Sequence, residues 1–257
     1  MIYGFIGCGT IAAATIEGMM ASRLDVTQVL VSPRNTQIAT RLAARFSKVE
    51  VAASNQAVAD EADILILAVR PQVAEEVLTS IQIPSRRKLI SLIAAVDHAK
   101  LALWTGHSQA AIVRAIPLPF VAHRQGVTAI FPGDSATSDL FTALGKAVEC
   151  KDQNEFDLLA VASSMMGTYY GLMERVGGWL AEHGMDEETA NRYLTPLFAS
   201  LSTLAAKNPH ESYSDLRQEF STKGGLNEQV FREFEKNEGS SALLKALDGV
   251  LERVRNG

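Results

Sequence analysis

Gly7, Gly9 and Ala12 stand in the spacing Gly-x-Gly-x-x-Ala, directly behind the apolar run Ile2–Ile6 and directly before a helix-forming segment. That order is what gripping the pyrophosphate of a dinucleotide requires. Gly7 permits the tight strand-to-helix turn, and Gly9 lets the backbone approach a phosphate with no Cβ in the way. Ala12 is small enough for the helix to lie close to the sheet. Thr10 and Ile11 then begin a helix whose first N–H groups and positive dipole end face the same place. The competing reading is a glycine turn that only packs.

The second strand bears on which dinucleotide. Val29-Leu30-Val31 ends at Ser32-Pro33-Arg34-Asn35, and no Asp or Glu follows until Glu50. An NAD site usually places a carboxylate there for the ribose hydroxyls. Here Ser32, Arg34 and Asn35 offer a hydroxyl, a guanidinium and an amide, which suit a 2′-phosphate. The expected cofactor is NADP, NADPH being preferred and NADH admissible; the alternative for Arg34 is a solvated residue at the next helix.

Further along, three segments leave predicted strands at their carboxyl ends, where ligands of doubly wound sheets bind. They are Ala68-Val69-Arg70-Pro71, with Pro71 starting a helix, then Ile93-Ala94-Ala95-Val96, and then Arg114-Ala115-Ile116-Pro117. Ala68, Val69, Arg70, Pro71 and Ala94 are taken as cofactor contacts; ordinary strand-end loops are the alternative. A fourth segment, Ser221-Thr222-Lys223-Gly224-Gly225-Leu226-Asn227, gathers hydroxyls, a cation and an amide around two glycines before a helix. Such backbone can hold a carboxylate, with Ser221, Gly224 and Gly225 as substrate contacts. The alternative is a plain helix start with Asn227 as its N-cap.

The elements that position these residues follow from periodicity. Up to residue 152, short apolar strands alternate with helical patterns: strands near 2–6, 28–32, 49–51, 63–69, 88–93, 110–115 and 126–131, and helices through 10–22 and 38–46, with a further one capped at Asn55. This is the signature of an α/β fold, a doubly wound parallel sheet of the Rossmann type. The run 63–69 is apolar throughout and so is expected to be buried on both faces. From 153 to 257 helical periodicity replaces strands, with segments at 158–182, 187–206 and 230–234. The segment 158–182 is long and nearly uncharged before Glu174, which calls for burial against a partner subunit.

Composition excludes several classes. At 257 residues and 47% apolar content the chain can bury a sizeable core. Its formal net charge of −5 argues against a nucleic-acid partner, and no apolar run is long enough to span a membrane. The N-terminus lacks the basic region of a signal peptide. Cys8 and Cys150 have no metal-ligand spacing, so no metal is expected, and two free thiols fit a reducing cytoplasm.

Taken together, the motifs Gly4–Gly9, Val31-Ser32-Pro33-Arg34, Leu67–Gln72, Ile90–Val96, Arg114–Pro117 and Leu216–Gly225 resemble the pyrroline-5-carboxylate reductase family over nearly the whole chain. The resemblance implies a cofactor domain, residues 1–152, followed by an all-helical substrate and dimerisation domain, residues 153–257, that interlocks with a second subunit in a homodimer or higher oligomer. It implies hydride reduction of a cyclic imine, giving proline, with the substrate between the nicotinamide and the helical domain and its carboxylate on the Gly224-Gly225 loop. Asn227 falls where the family's second threonine hydrogen-bonds the substrate nitrogen, so Asn227, Thr222 and Lys223 are the expected catalytic residues.

The chain also departs from the family. Leu118-Pro119-Phe120 replaces Asn-Thr-Pro after Pro117, bulkier residues fill the small-residue opening of the interface helix near 162–168, and Lys223 replaces a proline. Three alternatives follow: another imine substrate, a related hydroxy- or keto-acid oxidoreductase, or a non-catalytic NADP-binding protein. The hydroxyacid dehydrogenases typically carry a lysine on the first interface helix, and 158–182 has none. Of Tyr169 and Tyr170, only one can face a site, because neighbours in a helix point apart.

Overall fold

A computed structural model describes residues 1–256. The chain divides into two compact units, one comprising Met1–Val161 with the stretch from Leu251 onward, the other Ala162–Val250.

The first unit is built on eight strands: β1 (Ile2–Ile6), β2 (Gln28–Val31), β3 (Val49–Val51), β4 (Ile64–Leu67), β5 (Lys88–Ser91), β6 (Ile112–Pro117), β7 (Gly126–Phe131) and β8 (Gly145–Glu149). They lie in the order β3-β2-β1-β4-β5-β6-β7-β8. All neighbours are parallel except β6 and β7, which run antiparallel. The sequence reading placed β7 but not its direction, and it missed β8, whose residues are polar or only partly buried. The order reverses between β1 and β4, where a doubly wound sheet opens its ligand crevice.

Helices α1 (Thr10–Ala21), α2 (Thr36–Arg45), α3 (Asn55–Glu61), α4 (Pro71–Thr79), α5 (His98–Thr105), α6 (Ser135–Ala143) and α7 (Gln153–Ser163) cover the sheet. The alternation inside β4 shows why that strand is apolar throughout. Ile64 and Ile66 join one core with Phe5, Ile16, Val31 and Phe141, while Leu65 and Leu67 join another with Leu78, Leu101 and Ile112. A strand facing two cores has no polar face to show.

Several local expectations are corrected. Ser54, not Asn55, caps α3, its hydroxyl accepting the Ala57 N–H at 3.1 Å. The strand expected at 110–115 starts at Ile112, after a 3-10 turn at Gln109–Ala111. The single helix expected over 158–182 is two, broken at Ser164. Consecutive serines compete with the backbone for hydrogen bonds, which weakens a helix where they stand together.

The second unit is helical: α8 (Met165–Glu182), α9 (Glu187–Lys207), α10 (Tyr213–Glu219), α11 (Leu226–Lys236) and the greater part of α12 (Gly239–Asn256). Asp186 caps α9 by accepting the Thr189 N–H at 2.9 Å. Ser212 and Asp215 form a reciprocal capping box on α10. Only Ala190, Leu194 and Leu216 of the apolar residues in this unit are buried, whereas Tyr170, Leu172, Trp179, Tyr193 and Val230 stay exposed.

Candidate cofactor turn and substrate loop

Gly9 is the N-cap of α1 and offers no side chain to its first turn, which also contains no acidic residue. A Cβ built on Gly9 would meet nothing within 4 Å, so the space above this helix end is open. Gly7 is different: its φ is +97°, and a Cβ there would come within 2.6 Å of the Ala68 carbonyl oxygen. The first glycine is demanded by the fold, and the second leaves an open cradle over unpaired N–H groups. Phosphate oxygens fit that cradle. The turn residues present therefore suit a dinucleotide pyrophosphate.

The β2 end is arranged otherwise than its composition implied. Ser32 is buried, and its Oγ accepts the Gly7 N–H at 2.8 Å. Asn35 caps α2, its Oδ1 accepting the Ile38 N–H at 3.5 Å. Of the three polar groups read there, Arg34 alone is an exposed residue whose charge no described contact engages. Arg41 and Arg45, one and two turns into α2, both pair with Glu17.

Ala68 follows β4, its N–H held by the Ile6 carbonyl at 2.8 Å. Arg70 is the N-cap of α4 and Pro71 its first residue, as the missing donor of proline allows. Ala94 is exposed after β5, and Ala95 beside it adopts φ 54°, a conformation that costs a residue with a Cβ about 1 kcal/mol or more. No sequence signal marked that strain. Cys8 is buried inside the glycine turn, and burial pushes its thiol up to about 11 despite the Arg41 charge.

The loop between α10 and α11 belongs to the second unit. Gly224 has φ +75°, and its N–H donates to Glu228 Oε2 at 2.5 Å. The Gly225 N–H donates to the Thr222 carbonyl at 2.8 Å, and Gly225 is the N-cap of α11. Asn227 is therefore not the cap; it sits inside the helix, and its Nδ2 donates to the Phe220 carbonyl at 2.8 Å. The Ser221 hydroxyl is turned back to the Arg217 carbonyl at 2.7 Å. Lys223 and Thr222 are exposed. Sequence reasoning missed Glu228, although a Glu three residues after a helix N-cap is the known partner of such a turn. Tyr169 and Tyr170 lie on α8 with ring centroids 5.2 Å apart, and Tyr169 also packs edge-on against Phe198.

Comparison with known proteins bears on both halves. Residues 2–95 match the family model described as NADP oxidoreductase coenzyme F420-dependent, and residues 155–256 match the one described as pyrroline-5-carboxylate reductase dimerisation. The pyrroline-5-carboxylate reductase of Pseudomonas aeruginosa is 24% identical over 97% of this chain and 94% of its own length. Among solved structures, 1-pyrroline-5-carboxylate reductase from Streptococcus pyogenes superposes with a TM-score of 0.86 at 21% identity, covering 100% of this chain and 99% of that one. A Plasmodium falciparum pyrroline carboxylate reductase with NADP bound gives 0.84 at 19% identity, covering 100% and 97%.

Proposed function

This chain belongs to the pyrroline-5-carboxylate reductase family, and on that premise we propose that it reduces the C=N bond of 1-pyrroline-5-carboxylate to give L-proline, with NADPH as reductant and NADH as a weaker substitute. The observation that carries the reading is the open, uncapped start of α1 above Gly9, in a chain whose second half matches the dimerisation model.

When bound, the reduced nicotinamide supplies the hydride; the protein supplies position and field. The N–H groups at Thr10 and Ile11 hold the pyrophosphate, and Arg34 pairs with the 2′-phosphate. Ser32 acts one step behind, fixing the Gly7 turn through its hydroxyl. Residues Ala68, Val69, Arg70, Pro71 and Ala94 line the nicotinamide half. In the helical unit, one N–H of the Asn227 amide donates to the Phe220 carbonyl and fixes the side chain, with Oδ1 left as an acceptor. An acceptor is what a protonated imine N–H requires, and an iminium carbon is electrophilic enough to need no strong acid from the protein. Thr222 and Lys223 orient and attract the substrate carboxylate, while Gly224 and Gly225, their N–H groups held by Glu228 and the Thr222 carbonyl, and Ser221, bonded to Arg217, shape the loop that presents them.

The apolar side chains left exposed on α8 and α9 support a homodimer formed through the helical unit. A division into a cofactor domain, 1–152, and a substrate and dimerisation domain, 153–257, belongs to the same reading, as do a reducing cytoplasm, supported by two free cysteines, and the absence of a nucleic-acid partner. Among the described residues no helix is long and apolar enough to cross a membrane.

One observation favours a second substrate within the class. Glu228 already occupies the Gly224 N–H with a carboxylate of its own, so a cyclic imine without a carboxylate meets less competition in this loop. Steady-state oxidation of NADPH with pyrroline-5-carboxylate, run beside NADH and unsubstituted 1-pyrroline, tests both readings. Turnover of the carboxylate supports the first and turnover of 1-pyrroline alone the second. Tight NADPH binding with no turnover of either overturns both.

A further inference from the structure

Within the first unit lies a cavity of about 410 Å³ between the start of α5, the middle of β6, the end of β7, the first turns of α7 and the last turn of α12. That is within the range of small-molecule sites, and none of its lining residues belongs to the glycine turn. Two of its walls carry buried charges that do not meet. Arg114 is 6% exposed and Asp157 is 9% exposed, yet neither has an ion-pair partner among the described residues. Gln153 stands between them: its Oε1 accepts from Arg114 at 3.2 Å and its Nε2 donates to Asp157 Oδ1 at 2.5 Å.

The guanidinium has five N–H donors, and this single hydrogen bond is the one its described contacts give it. Its plane lies over the Phe156 ring at 4.6 Å. The Asp157 and Asp97 carboxylates act on it across the cavity, but neither lies within ion-pair distance, and a buried charge with its counter-charges held that far off is costly. At the rim stand two exposed charges: Asp97, whose Oδ1 caps α5 by accepting the Lys100 N–H at 2.7 Å, and Arg255, which donates to Asn154 at 2.7 Å. Burial and the neighbouring Arg114 charge push the pKa of His98 down, and its Nε2 bonds the Ile112 carbonyl at 3.2 Å, so the cavity's formal charges cancel at neutral pH. Phe131 and Val254 add apolar wall.

A simple anion meets two carboxylates here, and a simple cation meets two guanidinium groups. We propose that this cavity is a binding site for a small aliphatic α-amino acid, whose carboxylate pairs with Arg114 and Arg255 and whose ammonium group pairs with Asp157 and Asp97. The site borders Ala95, the strained residue of the β5–α5 loop, so occupancy is placed to act on that loop. The inference stands apart from the reductase reading, since it rests on the cavity's own charges.

Ligand-observed NMR titration with L-valine tests it, beside 3-methylbutanoate and isobutylamine, which are valine without its ammonium and without its carboxylate. Valine is expected to bind at least ~10-fold more tightly than either half. Asp157→Asn and Arg255→Gln are each expected to weaken valine binding about 10-fold or more. Arg255 is exposed, so its variant keeps the fold and decides the matter if Asp157→Asn is unstable. Absence of saturable binding at millimolar valine, equal binding by Arg255→Gln and the unsubstituted chain, or equal binding of 3-methylbutanoate overturns the proposal. Those results mean, respectively, a cavity that holds water only, a site elsewhere, and a plain anion site.

Discussion

Two glycines of one turn separate folding from binding at the level of single residues. Gly7→Ala places a Cβ against the Ala68 carbonyl at a φ of +97°, and the expected loss of stability is about 2–4 kcal/mol, read as a lower urea midpoint. Gly9→Val meets nothing in the chain, so its urea midpoint stays near that of the unsubstituted protein while NADPH affinity falls by about 100-fold in a fluorescence titration. The raised pKa of Cys8, about 11, leaves roughly one thiol in a thousand ionised at pH 8. Iodoacetamide is therefore expected to leave Cys8 unlabelled in native protein and to label it after unfolding, by mass spectrometry. Asn227→Ala removes the acceptor assigned to the imine N–H and the tie to Phe220 together; kcat/KM for the imine should drop about 10- to 100-fold, with the KM for NADPH little changed. The glycine spacing was legible in the sequence because φ and bulk are properties of the residue type. That backbone crowds Gly7 while open space surrounds Gly9 is visible only in the tertiary structure.

Helices and strands meet these residues through side chains that sequence reading assigned to the ligand. Ser32 and Asn35 were counted with the phosphate-binding groups, but the structure spends one on the Gly7 N–H and the other on the start of α2. Hydroxyls and short amides serve caps and turns as readily as ligands, so their type cannot decide between the two. Asn227 shows the same ambiguity: it was a cap or a ligand by sequence, and the cap proves to be Gly225. At the start of α6, Asp134 accepts the Thr137 N–H at 2.9 Å and meets Lys88 Nζ at 2.5 Å. Burial alone would raise this carboxyl, but the Lys88 and Thr137 hydrogen bonds outweigh it and hold its pKa below the ordinary value. A pKa lower in the folded state contributes stability that is complete above about pH 4 and is lost as pH falls through the depressed value. Asp134→Asn keeps the cap and removes the charge; it should cost about 0.5–1 kcal/mol at pH 7, allowing for solvent screening. The gap between variant and parent should close as pH falls below about 4 in urea titrations followed by circular dichroism.

For the whole molecule, the proposed homodimer gives the exposed apolar faces of α8 and α9 their purpose. Trp179 is 57% exposed in the single chain, so Trp179→Glu should leave the fold intact while weakening self-association about 100-fold, seen as monomer by light scattering at micromolar concentration. The sequence by itself determined the fold class and the place of the tight glycine turn between β1 and α1. Alternation of apolar strands with amphipathic helices and the conformational freedom of glycine are local properties, written within a dozen residues at a time. It also carried the change from strands to helices near 153, because short apolar runs give way there to a helical period. The tertiary structure alone decided the antiparallel turn of β7, the break at Ser164, the capture of the Gly224 N–H by Glu228 and the pairing of Arg114 with Gln153 in place of Asp157. Each of those depends on which groups are brought within hydrogen-bonding distance of one another. Arg114 and Gln153 stand 39 residues apart in the chain, and no local period records that they meet.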